Sequence, residues 1–223
     1  MKIKETIKKI KRLNHIYLMA QNYLIGGNKY LITNNKMMLH NAILKHTTVK
    51  MVGNNNILEV LPDVHLNNCK VIIYGSNNYI RLEEKAILNE VKIYIEDDCN
   101  SITIGRGTTI ECNSEIAAIE GTSVSIGEDC MISSDVRVCT GDSHSLINQE
   151  GKRVNYSQNV TIGNHVWIGM RAVINKGVEI TDNCIVGACS LLAGKLFIEK
   201  NTLIVGVPAR VIKHSIGWRR ERL

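Results

Sequence analysis

Aromatic side chains are scarce in this chain of 223 residues, which contains one Phe, two Trp and seven Tyr. Hydrophobic residues still make up 44% of the sequence, which excludes a disordered composition. Ordinary globular cores use aromatic rings as bulk filler. Their scarcity therefore indicates an apolar interior that is too narrow to hold rings.

The cysteines lack the spacing of a zinc site or a disulfide framework. Their number, seven, is odd, and no two of them form a C-x-x-C pair. The histidines show no metal-ligand spacing either, so we expect no metal site. We interpret the cysteines as small buried hydrophobic residues in a reducing cytoplasm. They are Cys69, Cys99, Cys112, Cys130, Cys139, Cys184 and Cys189.

Long hydrophobic runs are also missing. Residues 13–25 are rich in apolar side chains but are interrupted by Asn14, His15, Gln21 and Asn22. This pattern predicts neither a membrane span nor the apolar region of a signal peptide. We therefore expect a cytoplasmic protein.

Positive charge is concentrated at the two ends of the chain. Residues 1–12 contain six Lys or Arg against Glu5, and residues 210–223 contain five against Glu221. The two ends together carry a net charge of +9, and the remaining residues carry −3, which gives the total of +6. A nucleic-acid platform needs a basic face along its length, so no nucleic-acid partner is expected.

The terminal segments are predicted to flank a central domain. Residues 3–24 have the pattern of an amphipathic helix, within an N-terminal segment 1–30, and residues 210–223 form a basic tail that we expect to be partly helical. Our main interpretation is that both cap the ends of a repeat domain. Peripheral contact with an anionic membrane or polymer is the alternative.

The middle of the chain repeats every six residues, a period typical of neither a helix nor a plain strand. The period predicts short extended sides that turn at corners, three sides to a triangular coil of 18 residues. Four residues after each aliphatic position comes a mostly small one. The aliphatic positions are Ile162, Ile168, Ile174, Ile180, Val186, Leu192, Ile198 and Ile204.

The first half follows the same rule with four extra residues at one corner, which gives a spacing of 22. The extra residues are rich in Gly and Asn, as corners with positive φ require. The predicted inward positions are Met38 and Leu44; Val60, Leu82, Ile104 and Ile126; Leu66, Leu88, Ile110 and Ile132; and Ile72, Tyr94, Ile116 and Val138. We thus predict an all-β, parallel β-helix of about eight coils at 31–209.

The repeat breaks once, between Val138 and Ile162. Fourteen extra residues leave the prism there, which predicts a protruding loop at 142–159. Long excursions from a rigid scaffold tend to carry function.

From residue 101 onward the sequence resembles the hexapeptide-repeat acyltransferases, in particular their capsular-polysaccharide and sialic-acid-polymer O-acetyltransferase branch. The resemblance implies a left-handed β-helix, a homotrimer, acetyl-CoA as co-substrate and a carbohydrate acceptor. The first 100 residues match only in period. The motifs are Thr109-Ile110-Glu111, Ile126–Ser133, Thr140-Gly141-Asp142-Ser143-His144-Ser145, Ile162–Gly169, Gly206–Lys213 and Trp218.

The resemblance assigns His144 as the general base. A sugar hydroxyl is a poor nucleophile, and a histidine is well suited to accept its proton near neutral pH. A surface histidine without function is the alternative. Asp142 is expected to orient the imidazole, although a turn-forming Asp, with a backbone carbonyl in the orienting role, would also explain it.

The same resemblance predicts binding residues for both substrates. Trp167 and Glu111 are expected to contact the acceptor, with packing between subunits and ordinary surface exposure as the respective alternatives. Pantetheine is expected along the C-terminal coils, and the phosphates of the donor beside basic side chains. The donor-binding candidates are Gly169, Gly187, Ala188, Ser190, Lys195, Arg210 and Lys213.

The leading hypothesis is an acetyl-CoA-dependent O-acetyltransferase acting on a bacterial surface polysaccharide of the capsule or O-antigen type, or on its precursor. N-acetylation of an amino-sugar nucleotide or another small acceptor is the alternative within enzymes. A non-catalytic β-helix scaffold is the alternative outside enzymes, but it predicts uninterrupted repeats and no loop histidine.

Overall fold

The computed structural model describes residues 13–14 and 16–222. Within them, three β-sheets enclose one apolar core, and each coil of the chain contributes one strand to each sheet. All strand pairs are parallel except the last, β24 with β25. The fold is therefore a parallel β-helix of eight coils. Left-handed winding stays a prediction from the resemblance.

The coils follow one another along the chain. Coils 1 to 4 comprise β1 (Lys29–Ile32), β2 (Lys36–Leu39), β3 (Ile43–Lys45); β4 (Thr48–Val52), β5 (Ile57–Val60), β6 (His65–Asn67); β7 (Lys70–Tyr74), β8 (Tyr79–Leu82), β9 (Ile87–Asn89); β10 (Lys92–Glu96), β11 (Ser101–Ile104) and β12 (Thr109–Ile110). Coils 5 to 8 comprise β13 (Glu115–Ile119), β14 (Ser123–Ile126), β15 (Met131–Ile132); β16 (Arg137–Cys139), β17 (Val160–Ile162), β18 (Trp167–Ile168); β19 (Val173–Ile174), β20 (Glu179–Ile180), β21 (Ile185–Val186); β22 (Leu191–Leu192), β23 (Leu196–Phe197) and β24 (Leu203–Gly206). The chain then reverses into β25 (Ala209–Lys213).

Three corners run the length of the prism. We call the corner between the first and second strand of each coil the loop corner, because residues 140–159 leave there, between β16 and β17. The tail corner lies between the second and third strands and includes Asp129 and His165. The glycine corner lies between the third strand and the next coil and includes Gly169 and Gly187.

The predicted inward rhythm is confirmed in most coils. Val60, Leu82, Ile104 and Ile126 lie in one fully buried column, and Leu66, Leu88, Ile110 and Ile132 in another. The core is almost entirely aliphatic, and among the described residues Phe197 is its one aromatic member. The scarcity of rings therefore does reflect a narrow interior.

Four predicted inward positions are wrong by one residue. Ile72 and Tyr94 face outward, because their neighbours Val71, Ile73, Ile93 and Ile95 fill the interior. Met38 pairs with the outward Glu59, so Leu39 is the inward residue. Ile198 is 74% exposed, and Phe197 takes its place opposite Ile180. At each position a corner absorbs or omits one residue.

The Gly- and Asn-rich corner insertions stabilise the loop corner of the first coils. Asn56, Asn78 and Asn100 form a buried ladder in which each amide contacts the one on the next coil, at 3.0 and 3.1 Å. Gly53 has a φ of 104°, and a Cβ there would come within 2.0 Å of the carbonyl oxygen of Gly75. Only glycine fits at such a position.

Polar side chains cap the open first coil. Residues 16–20 are helical and continue into a π-helical turn, Gln21–Ile25. The buried Asn22 accepts a hydrogen bond from the backbone N–H of Leu44 at 2.9 Å and donates to the carbonyl of Ala42 at 2.9 Å. It thereby satisfies an edge strand that has no neighbouring coil. Residues 3–12 and 15 of the predicted helix lie outside the described residues.

The C-terminal segment differs from its prediction. Instead of a partly helical tail, Ala209–Lys213 form β25, antiparallel to β24. Residues 214–222 then run back along the tail corner without regular structure. Among the described residues, no helix is both long and apolar enough to cross a membrane.

Candidate active site

The loop at the break is a short hairpin held on the prism. Ile147 pairs with Arg153 in an antiparallel bridge, and the N–H of Val154 donates to the carbonyl of Leu146 at 2.8 Å. Gly141 lies against Ile119, since a Cβ at Gly141 would come within 2.5 Å of Ile119 Cδ1. The base of the loop therefore packs on the prism.

One ion pair fixes the return arm of the loop. The guanidinium of Arg153 contacts both carboxylate oxygens of Glu120, at 2.8 and 2.9 Å, and the hydroxyl of Ser157 donates to the same carboxylate at 2.7 Å. Hydrogen bonds from Arg153 and Ser157 lower the pKa of Glu120. Glu120 is thus a loop anchor.

A second network fixes the outgoing arm. The carboxylate of Asp142 pairs with the ammonium of Lys176 and accepts a hydrogen bond from the side chain of Asn155 at 2.8 Å. Lys176, followed by Asn155, holds the pKa of Asp142 below its ordinary value. Among residues 13–14 and 16–222, Asp142 makes no hydrogen bond or ion pair with the His144 ring, and its charge is engaged by Lys176. Its role in orienting the imidazole stays a prediction.

His144 is held through its backbone, and its side chain is exposed. Asn155, which is buried, donates to the carbonyl oxygen of His144 at 2.7 Å and accepts from the N–H of Leu146 at 2.7 Å. Among residues 13–14 and 16–222, the imidazole has no hydrogen-bond partner. The main chain of His144 is thus fixed while its ring is exposed.

A groove runs along the loop corner beside the anchored arm. It is lined by Asp142, Gln158, Asn175, Lys176, Ala193 and Gly194. Lys195 follows Gly194 and lies at the same corner, where its ammonium is 5.2 Å from the centre of the Phe197 ring. The groove crosses three successive coils and has a cation on its wall.

Trp167 lies on the other side of the prism. It is 36% exposed at the start of β18, and its ring centre is 6.3 Å from that of Trp218. Trp218 stacks on His165 at 4.2 Å and donates its indole N–H to the carbonyl of His165 at 2.9 Å. His165 is therefore covered by the C-terminal tail.

Arg220 fastens this tail, residues 214–222, to the prism. Its guanidinium donates to the carboxylate of Asp129 at 2.9 Å, to the hydroxyl of Thr109 at 3.0 Å and to the carbonyl of Cys130 at 2.8 Å. Asp129 also contacts His165 at 2.8 Å. Burial alone would raise the pKa of Asp129, but the hydrogen bonds from His165 and Arg220 lower it overall.

The predicted acceptor residues do not meet His144 within one chain. The loop corner lies opposite the sheet that carries Trp167, because each coil is a triangle of three strands. Glu111 lies at the glycine corner, exposed, with Asn89 donating to its carboxylate at 3.3 Å. Within one chain, the predicted site is thus divided between the loop corner, the third sheet and the glycine corner that borders this sheet.

The predicted donor-binding residues also lie at different positions on the prism. Gly169, Gly187 and Ala188 lie on successive coils at the glycine corner, in the column that continues from Glu111. Arg210 and Lys213 lie on β25 and are exposed, while Lys195 lies at the loop corner. Ser190 is buried, and its hydroxyl accepts a hydrogen bond from the N–H of Gly206. Its side chain is therefore not presented at the surface.

The small residues at the glycine corner have a structural reason of their own. A Cβ at Gly169 would come within 2.6 Å of the backbone nitrogen of Ala188 on the next coil. At Gly187 it would come within 2.5 Å of Val205 Cγ1. Stacking of the coils therefore explains both glycines without a ligand.

Comparison with known proteins identifies the family to which this chain belongs. The family model described as bacterial transferase hexapeptide (six repeats) matches residues 159–194. A polysialic acid O-acetyltransferase of Neisseria meningitidis is 33% identical over 81% of this chain and 83% of its own length. The chain belongs to the hexapeptide-repeat acyltransferase family. A galactoside O-acetyltransferase of Escherichia coli K12 is 37% identical, over 51% of this chain and 54% of that protein.

Two solved structures of this family have the same fold along most of their length. The polysialic acid O-acetyltransferase OatWY superposes with a TM-score of 0.82 and 30% identity, covering 88% of this chain and 92% of that one. The polysialic acid-specific acetyltransferase NeuO gives a TM-score of 0.81 and 29% identity, covering 87% and 88%. The similarity thus extends beyond the motifs into the first 100 residues.

Sequence reasoning missed the residues that shape this hexapeptide-repeat site. Arg153, Asn155 and Lys176 anchor the loop, and Arg220 anchors the tail. A weak signal existed for Lys176, which lies in a corner one coil after the break. No local signal marks Arg220, whose partners are 90 to 113 residues away in sequence.

Proposed function

We propose that this protein is an acetyl-CoA-dependent O-acetyltransferase whose acceptor is a hydroxyl of a bacterial surface polysaccharide, of the capsule or O-antigen type, or of its precursor. The carrying observation is the single break in the β-helix, where two polar networks hold the backbone of His144 and leave its ring exposed. The similarity to polysialic acid O-acetyltransferases supports the acceptor class. Acetyl-CoA and a cytoplasmic location belong to this proposal.

His144 acts as the general base. It accepts the proton of the acceptor hydroxyl while that oxygen forms a bond to the carbonyl carbon of the acetyl thioester. The carbon–sulfur bond then breaks, and His144 returns the proton to the CoA thiolate. The products are an acetyl ester and CoA, and no acyl-enzyme forms. Burial raises the pKa of Cys69 and of Cys130 to about 11, so neither thiol competes as a nucleophile.

The complete site requires more than one copy of the chain. His144 and Trp167 lie on opposite sides of one prism, so a homotrimer brings the loop of one copy to the Trp167 face of its neighbour. Exposed apolar side chains on the loop, Leu146, Ile147, Val154 and Tyr156, are suited to pack on a second copy. Trp167 and Glu111 would then contact the acceptor sugar.

The donor lies in the groove between copies. The exposed Ala188 beside Gly169 and Gly187 offers a narrow backbone surface to pantetheine, and the exposed Lys195, which follows Gly194 of the loop-corner groove, offers a cation. Arg210 and Lys213 are exposed cations on β25, where they are suited to bind the phosphates of CoA.

The acceptor class is tested with radiolabelled acetyl-CoA and a panel of acidic polysaccharides, neutral oligosaccharides and amino-sugar nucleotides. We expect label to enter a polysaccharide as an alkali-labile ester. Label in an alkali-stable amide of an amino-sugar nucleotide would overturn the proposal in favour of N-acetylation. No transfer to any acceptor and no CoA binding would favour a scaffold.

The base is tested with His144→Ala. We expect acetyl transfer to fall about 10²–10⁴-fold, the usual contribution of a positioned acid or base. The thermal midpoint should stay near that of the unchanged protein, since the ring is exposed. His65→Ala, on β6 at the other end of the prism, is the matched control. Turnover near normal in His144→Ala would reject the role.

A further inference from the structure

The N-terminal helical segment uses only one side to cap the prism. Leu18 is buried against the first coil, and Asn22 makes hydrogen bonds with Leu44 of β3 and with Ala42 just before it. Tyr30 adds a hydrogen bond from its hydroxyl to the carbonyl of Asn22 at 2.8 Å. These contacts fix the orientation of the segment, so the side that faces away from the prism is determined as well.

That outer side is apolar. Ile16, Met19, Ala20, Tyr23 and Leu24 follow the i, i+3, i+4, i+7, i+8 spacing of one helix face and line a shallow apolar groove. Leu24 is 83% exposed and Ile25 is 70% exposed. Tyr23 packs on Tyr30 of the first coil, with ring centres 5.5 Å apart, but the hydrogen bonds of the cap use none of these side chains. A contiguous exposed apolar face of this kind marks an interaction surface.

Positive charge accompanies the apolar face in the sequence. Residues 1–12, directly before the segment, contain six Lys or Arg and one Glu. Helices that combine a basic region with exposed aliphatic and aromatic side chains bind in the interface of anionic bilayers. Each cation near such a surface adds to the attraction.

We propose that this N-terminal segment docks the protein peripherally on an anionic lipid surface. The apolar side chains enter the boundary between headgroups and acyl chains, and the preceding cations contact the lipid phosphates. The eight-coil prism would then stand on the membrane by its first coil, with the loop of coil 6 on the far side of several coils.

Charge and apolarity together favour a membrane over other occupants. Self-association through the same face would bring together copies of a segment that carries six cations and one anion, which repel one another. An anionic polysaccharide would match the charge but gives no partner to Leu24 and Ile25. Only a lipid surface satisfies both features.

The proposal is tested by vesicle flotation of the full-length protein. The probes are vesicles of phosphatidylcholine with phosphatidylglycerol and vesicles of phosphatidylcholine alone. We expect flotation with the anionic vesicles that weakens as salt is added. The double variant Leu24→Glu, Ile25→Glu should reduce binding about tenfold or more, because it removes the apolar face. Leu31→Glu, at an exposed apolar position on β1, should bind normally.

Three outcomes would overturn the proposal. They are absence of flotation with anionic vesicles, equal flotation of the double variant, and a drop in the molar mass of the double variant, which would show that the face joins copies of the chain. Binding to dextran sulfate that the double variant loses, without vesicle binding, would assign the face to a polymer. Acetyl transfer to a soluble acceptor should be unchanged in the double variant, so the result is independent of the proposed function.

Discussion

Asp142 shows how a charged side chain beside the proposed base, His144, can hold the backbone of the loop instead of the imidazole ring. Its carboxylate joins Lys176 of the next coil to Asn155 of the return arm. Asn155 in turn holds the main chain on both sides of His144 and Ser145. The network therefore sets where the loop begins, and it leaves the ring of His144 to the substrate.

Removing the cation of this network should loosen the loop. In Lys176→Met, the carboxylate of Asp142 loses its ion pair, and a partly exposed pair of this kind contributes about 1 kcal/mol or less. We expect acetyl transfer to fall about three- to fivefold, mainly in kcat, with little change in the thermal midpoint. Steady-state kinetics at saturating acetyl-CoA measures the effect.

Lys200→Met is the matched control for this variant. Lys200 pairs with Asp182 at 2.8 Å on a different corner of the prism. Its removal should leave kcat unchanged. Equal kinetics in the two variants would show that the Lys176 pair has no part in positioning the loop.

At the residue scale, the sequence predicts most inward positions but not every register. Val71, Ile72 and Ile73 are three consecutive aliphatics, and the alternation of a strand cannot decide which of them face inward. Phe197 and Ile198 pose the same choice. The decision is made by the hydrogen bonds to the neighbouring coil, which pair Ile180 with Phe197.

At the scale of elements, the tail along the tail corner is the least predictable part of the chain. It spans several coils, and Trp218 reaches His165 while Arg220 reaches Gly107 and Thr109. None of these partners is near in sequence. The β-helix itself was predictable because most of its strand pairs repeat at a spacing of 18 or 22 residues.

We expect the C-terminal tail to influence acceptor binding by positioning the ring of Trp167. Arg220→Ala removes the hydrogen bonds that hold Trp218 beside His165 and near Trp167, so the Trp167 ring becomes less well fixed. We expect the KM for the acceptor to rise about five- to tenfold, corresponding to about 1–1.4 kcal/mol for lost hydrogen bonds. The KM for acetyl-CoA should change less. Initial-rate measurements with each substrate varied in turn provide the check.

Arg219→Ala distinguishes position from charge in this experiment. Arg219 is the exposed neighbour of Arg220 and carries the same charge. It should leave the acceptor KM nearly unchanged. A matching rise in both variants would mean that the tail contributes general positive charge and does not position Trp167.

At the scale of the whole molecule, the residues of the proposed site lie at two corners and on one sheet of the prism. The base lies at the loop corner, the aromatic ring lies on the opposite sheet, and the donor-binding column lies at the glycine corner. Each residue type was predictable from the family resemblance. Their separation was not, because hexad spacing gives the inward side of each strand and not the distance between corners.

A site assembled between copies makes one prediction that no single-chain site shares. His144→Ala and Trp167→Ala should each be nearly inactive alone. When the two variants are co-expressed with different tags and the mixed oligomers are isolated, some interfaces combine an intact His144 from one copy with an intact Trp167 from its neighbour. We expect isolated mixed trimers to recover about one third of the unmutated activity, because one of the three interfaces in each mixed cyclic trimer combines an intact His144 with an intact Trp167. Activity of the mixed oligomers no higher than that of either variant alone would contradict the composite site.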